Sequence, residues 1–201
     1  SCTSNSKGIY CKEQFIPMND KEKLYKRIQE IEVFKKGNFT LSSGKKSNYY
    51  IDGRLISLDP TGSELISKIF QKKINFEIDK IGGPATAAIP LISSLSLYLK
   101  YQHNLEVPGF YIRPSVKEHG LTNKIEGNLN SGENVVAIDD TLTTGGSIIS
   151  TITEIQKAGA NVKLSLSIFD RNEGGKEKIE RLGINHYSIF TYDNRKEDLV
   201  Y

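Results

Sequence analysis

The chain has 201 residues, 37% hydrophobic and 25% charged, which suits one domain with a real core and excludes disorder over most of its length. No apolar run approaches the ~20 residues of a membrane helix, so a membrane-spanning protein is excluded at this stage. The formal net charge of +3 comes with only short basic pairs such as Lys35-Lys36, Lys45-Lys46 and Lys72-Lys73, and no basic reading helix supports a nucleic-acid partner.

Cys2 and Cys11 are the only cysteines, and both precede Met18, the only methionine. Residues 1–17 read as an N-terminal extension, either upstream residues or a native tail, ahead of a single domain over 18–201. Without them no cysteine is left for disulfides or metal sites, and the stretch lacks the apolar centre of a signal peptide. The expectation is a cytoplasmic protein.

Residues 20–36 predict a helix, with Leu24, Ile28 and Ile31 at helical spacing and Gly37-Asn38 as its stop. Residues 38–54 predict two short strands around a polar turn. Asp59-Pro60 opens a second helix running to about Ile74. Strands and helices then alternate. Strands are expected at 78–81, 107–113, 135–138, 162–169 and 187–191, and helices at 86–101, 147–158 and 176–182. That order predicts an α/β fold, a parallel sheet with helices on both faces and right-handed crossovers. Residues 114–130 are polar, with Gly120 and Gly127, and fit no packed element. A stretch this long is either a functional loop or a surface insertion, and Arg113, Lys117, Glu118 and His119 cluster at its start.

The strongest chemical signal runs from Val135 to Ser147. Four apolar residues make a buried strand, and Asp139 and Asp140 follow at its C-terminal end, where α/β sheets place ligands. Thr141, Leu142, Thr143, Thr144, Gly145, Gly146 and Ser147 then lead into a helix. Small residues let backbone N–H groups close around a phosphate, and the helix N-terminus adds its positive dipole. The ending is not Gly-Lys-Ser/Thr and the glycine spacing is not that of a dinucleotide fold. Two carboxylates ahead of a phosphate nest suit vicinal hydroxyls plus a phosphate, as in a ribose 5-phosphate; the bland alternative is an acidic strand end followed by a helix cap.

This segment resembles the phosphoribosyl-pyrophosphate (PRPP) motif of type I phosphoribosyltransferases. Three further blocks resemble the orotate phosphoribosyltransferase family: residues 39–52 (FTLSSGKKSNYYID) its N-terminal hood, residues 113–120 (RPSVKEHG) its mobile catalytic loop, and residues 170–175 (DRNEGG) its orotate-side loop. The resemblance places the hood at about 19–58 and the core at about 59–201. It implies transfer of a phosphoribosyl group from PRPP to N1 of orotate, with Mg²⁺ carried on PRPP and water rather than on direct protein ligands. It also implies a homodimer whose loop reaches into the neighbouring site. Asp139 and Asp140 would face the ribose hydroxyls, and Thr141 to Ser147 would hold the 5′-phosphate. Arg113, Lys117 and His119 would act on the leaving pyrophosphate. Tyr49, Tyr50, Thr143 and Arg171 would meet orotate, although strand packing also accounts for the tyrosines. Gly83, Pro84, Ala85 and Thr86, after Gly82, match the pyrophosphate loop, or else form a simple strand-to-helix turn.

Three positions depart from the best-known bacterial members: Ser42 and Ala87 replace lysines, and Pro114 stands where a lysine is common. Arg54 and Lys46 are the candidates to restore the lost charge. The competing functions are a phosphoribosyltransferase for another base and a non-catalytic PRPP-binding regulator.

Overall fold

The computed structural model describes residues 3–5, 8–10, 17–41, 44–114 and 124–201. A short hairpin, β1 (Thr3–Asn5) and β2 (Gly8–Tyr10), precedes helix α1 (Asp20–Glu30). Asn19 caps α1 through a reciprocal pair: its Oδ1 accepts the Glu22 N–H at 3.0 Å, and Glu22 Oε2 accepts the Asn19 N–H at 2.7 Å. The helix ends at Glu30, not at 36 as predicted. Glu32 turns left-handed at φ 55°, and the Val33 N–H bonds back to the Ile28 carbonyl at 3.0 Å. Val33 is then fully buried, and the chain leaves as strand β3 (Phe34–Thr40). This strand pairs antiparallel with β4 (Lys46–Ile51) to make the hood hairpin.

Two helices follow, the short α2 (Gly53–Ser57), which sequence reading missed, and α3 (Pro60–Gln71). Asp59 caps α3 by accepting the Gly62 N–H at 2.8 Å, and the same carboxylate takes both Nε and Nη2 of Arg27, tying α1 to α3. Beyond them lie β5 (Lys80–Pro84), α4 (Ala88–His103), β6 (Gly109–Ile112), β7 (Ile125–Glu126), β8 (Asn134–Leu142), α5 (Gly146–Lys157), β9 (Asn161–Asp170), α6 (Gly175–Glu180), β10 (His186–Asp193) and β11 (Asp198–Val200).

The main sheet has seven strands in the order β11-β10-β9-β8-β5-β6-β7. Its five inner strands are parallel as expected, while β7 and β11 are antiparallel edges, so the sheet is mixed. Helices cover both faces. Val136 and Ile138 of β8 pack with α1, α3 and α4; Val135 and Ala137, alternating with them, pack against Ile148, Ile152 and Ile155 of α5. Strand β5 begins later than predicted and carries Gly82 and Gly83 inside it. A side chain at 82 would collide with the Phe110 ring, and one at 83 with the Ile138 carbonyl. Likewise β8 does not stop at 138 but runs through the acidic pair to Leu142. No helix among the described residues is long and apolar enough to cross a membrane.

Candidate active site

Strands β9, β8 and β5 are adjacent, so their C-terminal ends set residues 170–173, 139–147 and 84–86 side by side. The chain turns to opposite sides of the sheet after β5 and after β8. Ligands of open α/β sheets bind at such a reversal.

Asp139 is 7% exposed, and its Oδ1 accepts the Asp140 N–H at 2.8 Å. Burial, and then the charge of Asp140, push the Asp139 carboxyl well above the usual range. Asp140 is also raised by burial, against the Thr141 N–H and the Arg54 charge, which pull it down. The pair therefore resists carrying two negative charges until donors such as hydroxyls face it.

Thr143 and Thr144 stand exposed at the loop, and Gly145 turns left-handed at φ 86° to start α5. No side chain caps α5, so its first-turn N–H groups are open to an anion. The loop leans on the start of α6. A side chain at Gly175 would stand 2.6 Å from the Thr143 carbonyl oxygen, and the Arg171 N–H bonds the Leu142 carbonyl at 2.9 Å. Gly175 thus serves the phosphate-type loop of the neighbouring strand.

Arg171 is 9% exposed, its guanidinium 4.5 Å from the Tyr49 ring centre. Its Nη2 donates to Ser47 Oγ at 3.3 Å, and its Nε lies 3.5 Å from Glu173 Oε1. The structure divides the predicted tyrosine pair. Tyr49 is buried, stacked on Tyr192 at 3.7 Å between ring centres, and lies under Arg171. Tyr50 is 37% exposed and lines a cavity of about 940 Å³ together with Arg54, Thr143, Thr144, Arg171 and Glu173.

A second cavity of about 300 Å³ gathers Pro84, Ala85, Arg113 and Ser147. It joins the expected pyrophosphate loop to the loop arginine and to the first turn of α5. Gly83 and Pro84 end β5, the Ala85–Thr86 peptide is cis, and Thr86 is exposed. Arg113 Nη1 pairs with Glu126 Oε1 at 3.2 Å, and the Arg113 N–H bonds the Lys124 carbonyl. Lys117, His119 and Ser42 lie outside the described residues. Among the described residues no cluster of three or more His, Cys, Asp or Glu could hold a metal. The hard carboxylate oxygens of Asp139 and Asp140 suit Mg²⁺ held mainly by a ligand's own oxygens and water.

Lys45, Glu173, Asp52 and Arg54 were not among the predicted site residues. Lys45 and Glu173 sit inside the quoted blocks and are picked out by the cavity; Arg54, named above only as a source of compensating charge, lines the same cavity, and Asp52 at the end of the hood block holds it.

The sequence matches the phosphoribosyl transferase domain over residues 61–186. It is 37% identical to the orotate phosphoribosyltransferase of Pyrococcus abyssi over 172 residues, covering 84% of this chain and 91% of that protein. The fold is similar to the crystal structure of the Aeropyrum pernix orotate phosphoribosyltransferase, with TM-score 0.71 and 31% identity over 84% of this chain and 93% of that one. It is also similar to the Mycobacterium tuberculosis enzyme solved with PRPP, with TM-score 0.71 and 25% identity over 86% and 96%. The domain match over residues 61–186 and the 37% identity over 84% of the chain show that this protein belongs to the phosphoribosyltransferase family, in its orotate phosphoribosyltransferase branch.

Proposed function

We propose that the chain transfers the 5-phosphoribosyl group from PRPP to N1 of orotate, giving orotidine 5′-monophosphate and pyrophosphate in UMP synthesis. One observation carries the reading: the Thr143–Thr144 loop and the buried Arg171 face a single cavity, so a phosphoribosyl donor and an acidic base would meet in it. The Mycobacterium tuberculosis relative is solved with PRPP, and the Pyrococcus abyssi relative carries the same activity in its name.

In this reading the uncapped start of α5 and the hydroxyls of Thr141, Thr143, Thr144 and Ser147 bind the 5′-phosphate. Asp139 and Asp140 accept from the ribose hydroxyls, which relieves their crowded charge. As the C1′–O bond breaks, negative charge grows on pyrophosphate and the ribose becomes cation-like. Arg113, beside Pro84 and Ala85, donates to the leaving group, with Lys117 and His119 as its partners. Asp139 and Asp140 would lie beside a Mg²⁺ carried on PRPP and water, which when bound would supply charge neutralisation to the pyrophosphate. Arg171 presents its fork to the orotate carboxylate, with Tyr50 against the ring. We place Lys117 and His119 in the partner's site, which makes a homodimer the working unit. The charged, phosphorylated substrates suit a cytoplasmic enzyme.

The test is loss of orotate absorbance with PRPP and Mg²⁺, run beside adenine, guanine, xanthine and uracil. Orotate-specific turnover is expected. Turnover of another base alone would move the chain to a different phosphoribosyltransferase, and PRPP binding without turnover would make it a regulator.

A further inference from the structure

We propose that Arg54 anchors the phosphoribosyl donor, gripping a phosphate oxygen of PRPP from the hood side of the cavity; the inference rests on the transferase reading above. The cavity has three cationic side chains on its wall, Lys45, Arg54 and Arg171. Two of them share one carboxylate. Lys45 Nζ and Arg171 Nε each lie 3.5 Å from Glu173 Oε1, so their charges are answered on the base side.

Arg54 is placed differently. Its Nε donates to Asp52 Oδ1 at 3.2 Å, and no hydrogen bond from a described residue holds its two terminal nitrogens. Asp52 Oδ1 also accepts the Arg54 N–H at 3.2 Å, so one carboxylate fixes both ends of the residue. The approach of α2 then sets the distance to the acidic pair. A side chain at Gly53 would stand 2.6 Å from Asp140 Oδ2, so the helix packs on Asp140 only because residue 53 has none. Arg54 follows directly, and its charge favours the ionised form of Asp140.

The chemistry needs such a cation. PRPP carries a phosphate and a pyrophosphate into a site that already holds two adjacent buried carboxylates. A guanidinium oriented through Nε offers its terminal N–H groups as a planar fork to phosphate oxygens while offsetting Asp140. Thr143 and Thr144 line the same cavity, so the fork and the phosphate loop face one ligand. Lys46, the other cation singled out in the hood, donates to Thr40 Oγ1 at 3.0 Å and does not line this cavity.

The experiment compares the full-length protein with Arg54→Ala, Arg54→Lys and Lys46→Ala. Steady-state rates are taken with PRPP and orotate each varied, and PRPP binding is followed by calorimetry. Arg54→Ala is expected to raise the PRPP KM and Kd by about tenfold or more, the loss of one charge-assisted contact, with the orotate KM changed by less than about twofold. Arg54→Lys is expected to recover part of the loss, and Lys46→Ala to stay near the wild type. A PRPP KM and Kd for Arg54→Ala within about twofold of wild type would overturn the proposal, as would an effect confined to orotate. Wild-type PRPP binding without turnover of any base would instead sink the transferase reading, and the calorimetric comparison would still decide the role of Arg54. Unchanged thermal melting of Arg54→Ala, expected for a 65% exposed side chain, separates binding from folding.

Discussion

Acid should weaken this fold through one buried imidazole. His186 opens β10 and is 5% exposed, away from the candidate site. Its Nδ1 is 2.8 Å from Ser165 Oγ, and its Nε2 is 2.9 Å from Ser188 Oγ and 3.2 Å from Ser167 Oγ. Rotating hydroxyls satisfy a neutral ring well, but three serines offer no counter-charge to an imidazolium. Burial, then the charge of Lys176, lowers the ring from its ordinary 6.5 to about 4. A base with a depressed pKa binds its proton first in the unfolded chain. Its contribution is therefore fully present above about pH 6.5 and is lost as pH falls toward 4. At ~1.4 kcal/mol per pH unit the loss reaches about 3 kcal/mol, a large share of the ~5–15 kcal/mol typical of a domain. Asp139, Asp140 and Asp170 work in the opposite sense, because their raised carboxyls hold protons in the fold that the unfolded chain releases. The assay must cancel them. Urea unfolding of wild type and His186→Gln at about pH 7.5, 6.5, 5.5 and 4.5 does so, because only the difference between the two profiles reports the ring. That difference is expected to be constant above about pH 6.5 and to change by about 3 kcal/mol below it, the wild type losing ground. A flat difference would show that the imidazole titrates normally and refute the argument from burial.

Three other outcomes are expected. Gly175→Ala puts a methyl against the Thr143 carbonyl and Leu142, so displacement of the loop should raise the PRPP KM about tenfold or more and lower the melting temperature, read by steady-state kinetics and calorimetry. Arg171→Lys keeps the charge but loses the fork and its seat on Tyr49; kcat/KM for orotate should fall about a hundredfold, with PRPP binding little changed by calorimetry. If the loop acts across a dimer, mixing inactive Lys117→Ala and Arg171→Ala subunits should restore about a quarter of wild-type activity, since half the dimers are mixed and each has one intact site. No recovery after verified subunit exchange would show that Lys117 serves its own subunit.

The alternation of apolar strands with amphipathic helices was legible because β5, β6, β8, β9 and β10 are flanked by glycine, proline or polar turns. The phosphate-type loop was legible for the same reason, since its carboxylates, hydroxyls and glycines are contiguous. The rest depended on distant partners. Residues 31–36 continue a helical composition, and only burial of Val33 and pairing of Phe34 with Ile51 turn them into a strand. The edge strand β7 is two residues long, fixed by pairing with β6 rather than by any pattern of its own. Gly82 and Gly83 read as a turn but lie inside β5, because Phe110 and Ile138 from neighbouring strands fill the space of their side chains. Tyr49 and Tyr50 look equivalent in sequence; strand alternation sends one into the core and the other to the cavity.

The same alternation explains why the hood must be a strand pair. Along β4, Ser47 and Tyr49 fall on one face and reach Arg171, while Tyr50 on the other face lines the cavity. The hairpin is in turn fixed to the core by the Tyr49–Tyr192 stack and the ion pair of Lys36 with Asp198 at 3.4 Å. Exposed ion pairs contribute little, so the buried stack is the stronger tie. Immediately after β4, Asp52 and Gly53 start α2 against Asp140. One short stretch, residues 47–54, therefore touches both Arg171 and Asp140. A shift of the hood moves both contacts together. A hairpin that meets both Arg171 and the acidic pair would, on the proposed function, tie the place of the base to that of the ribose.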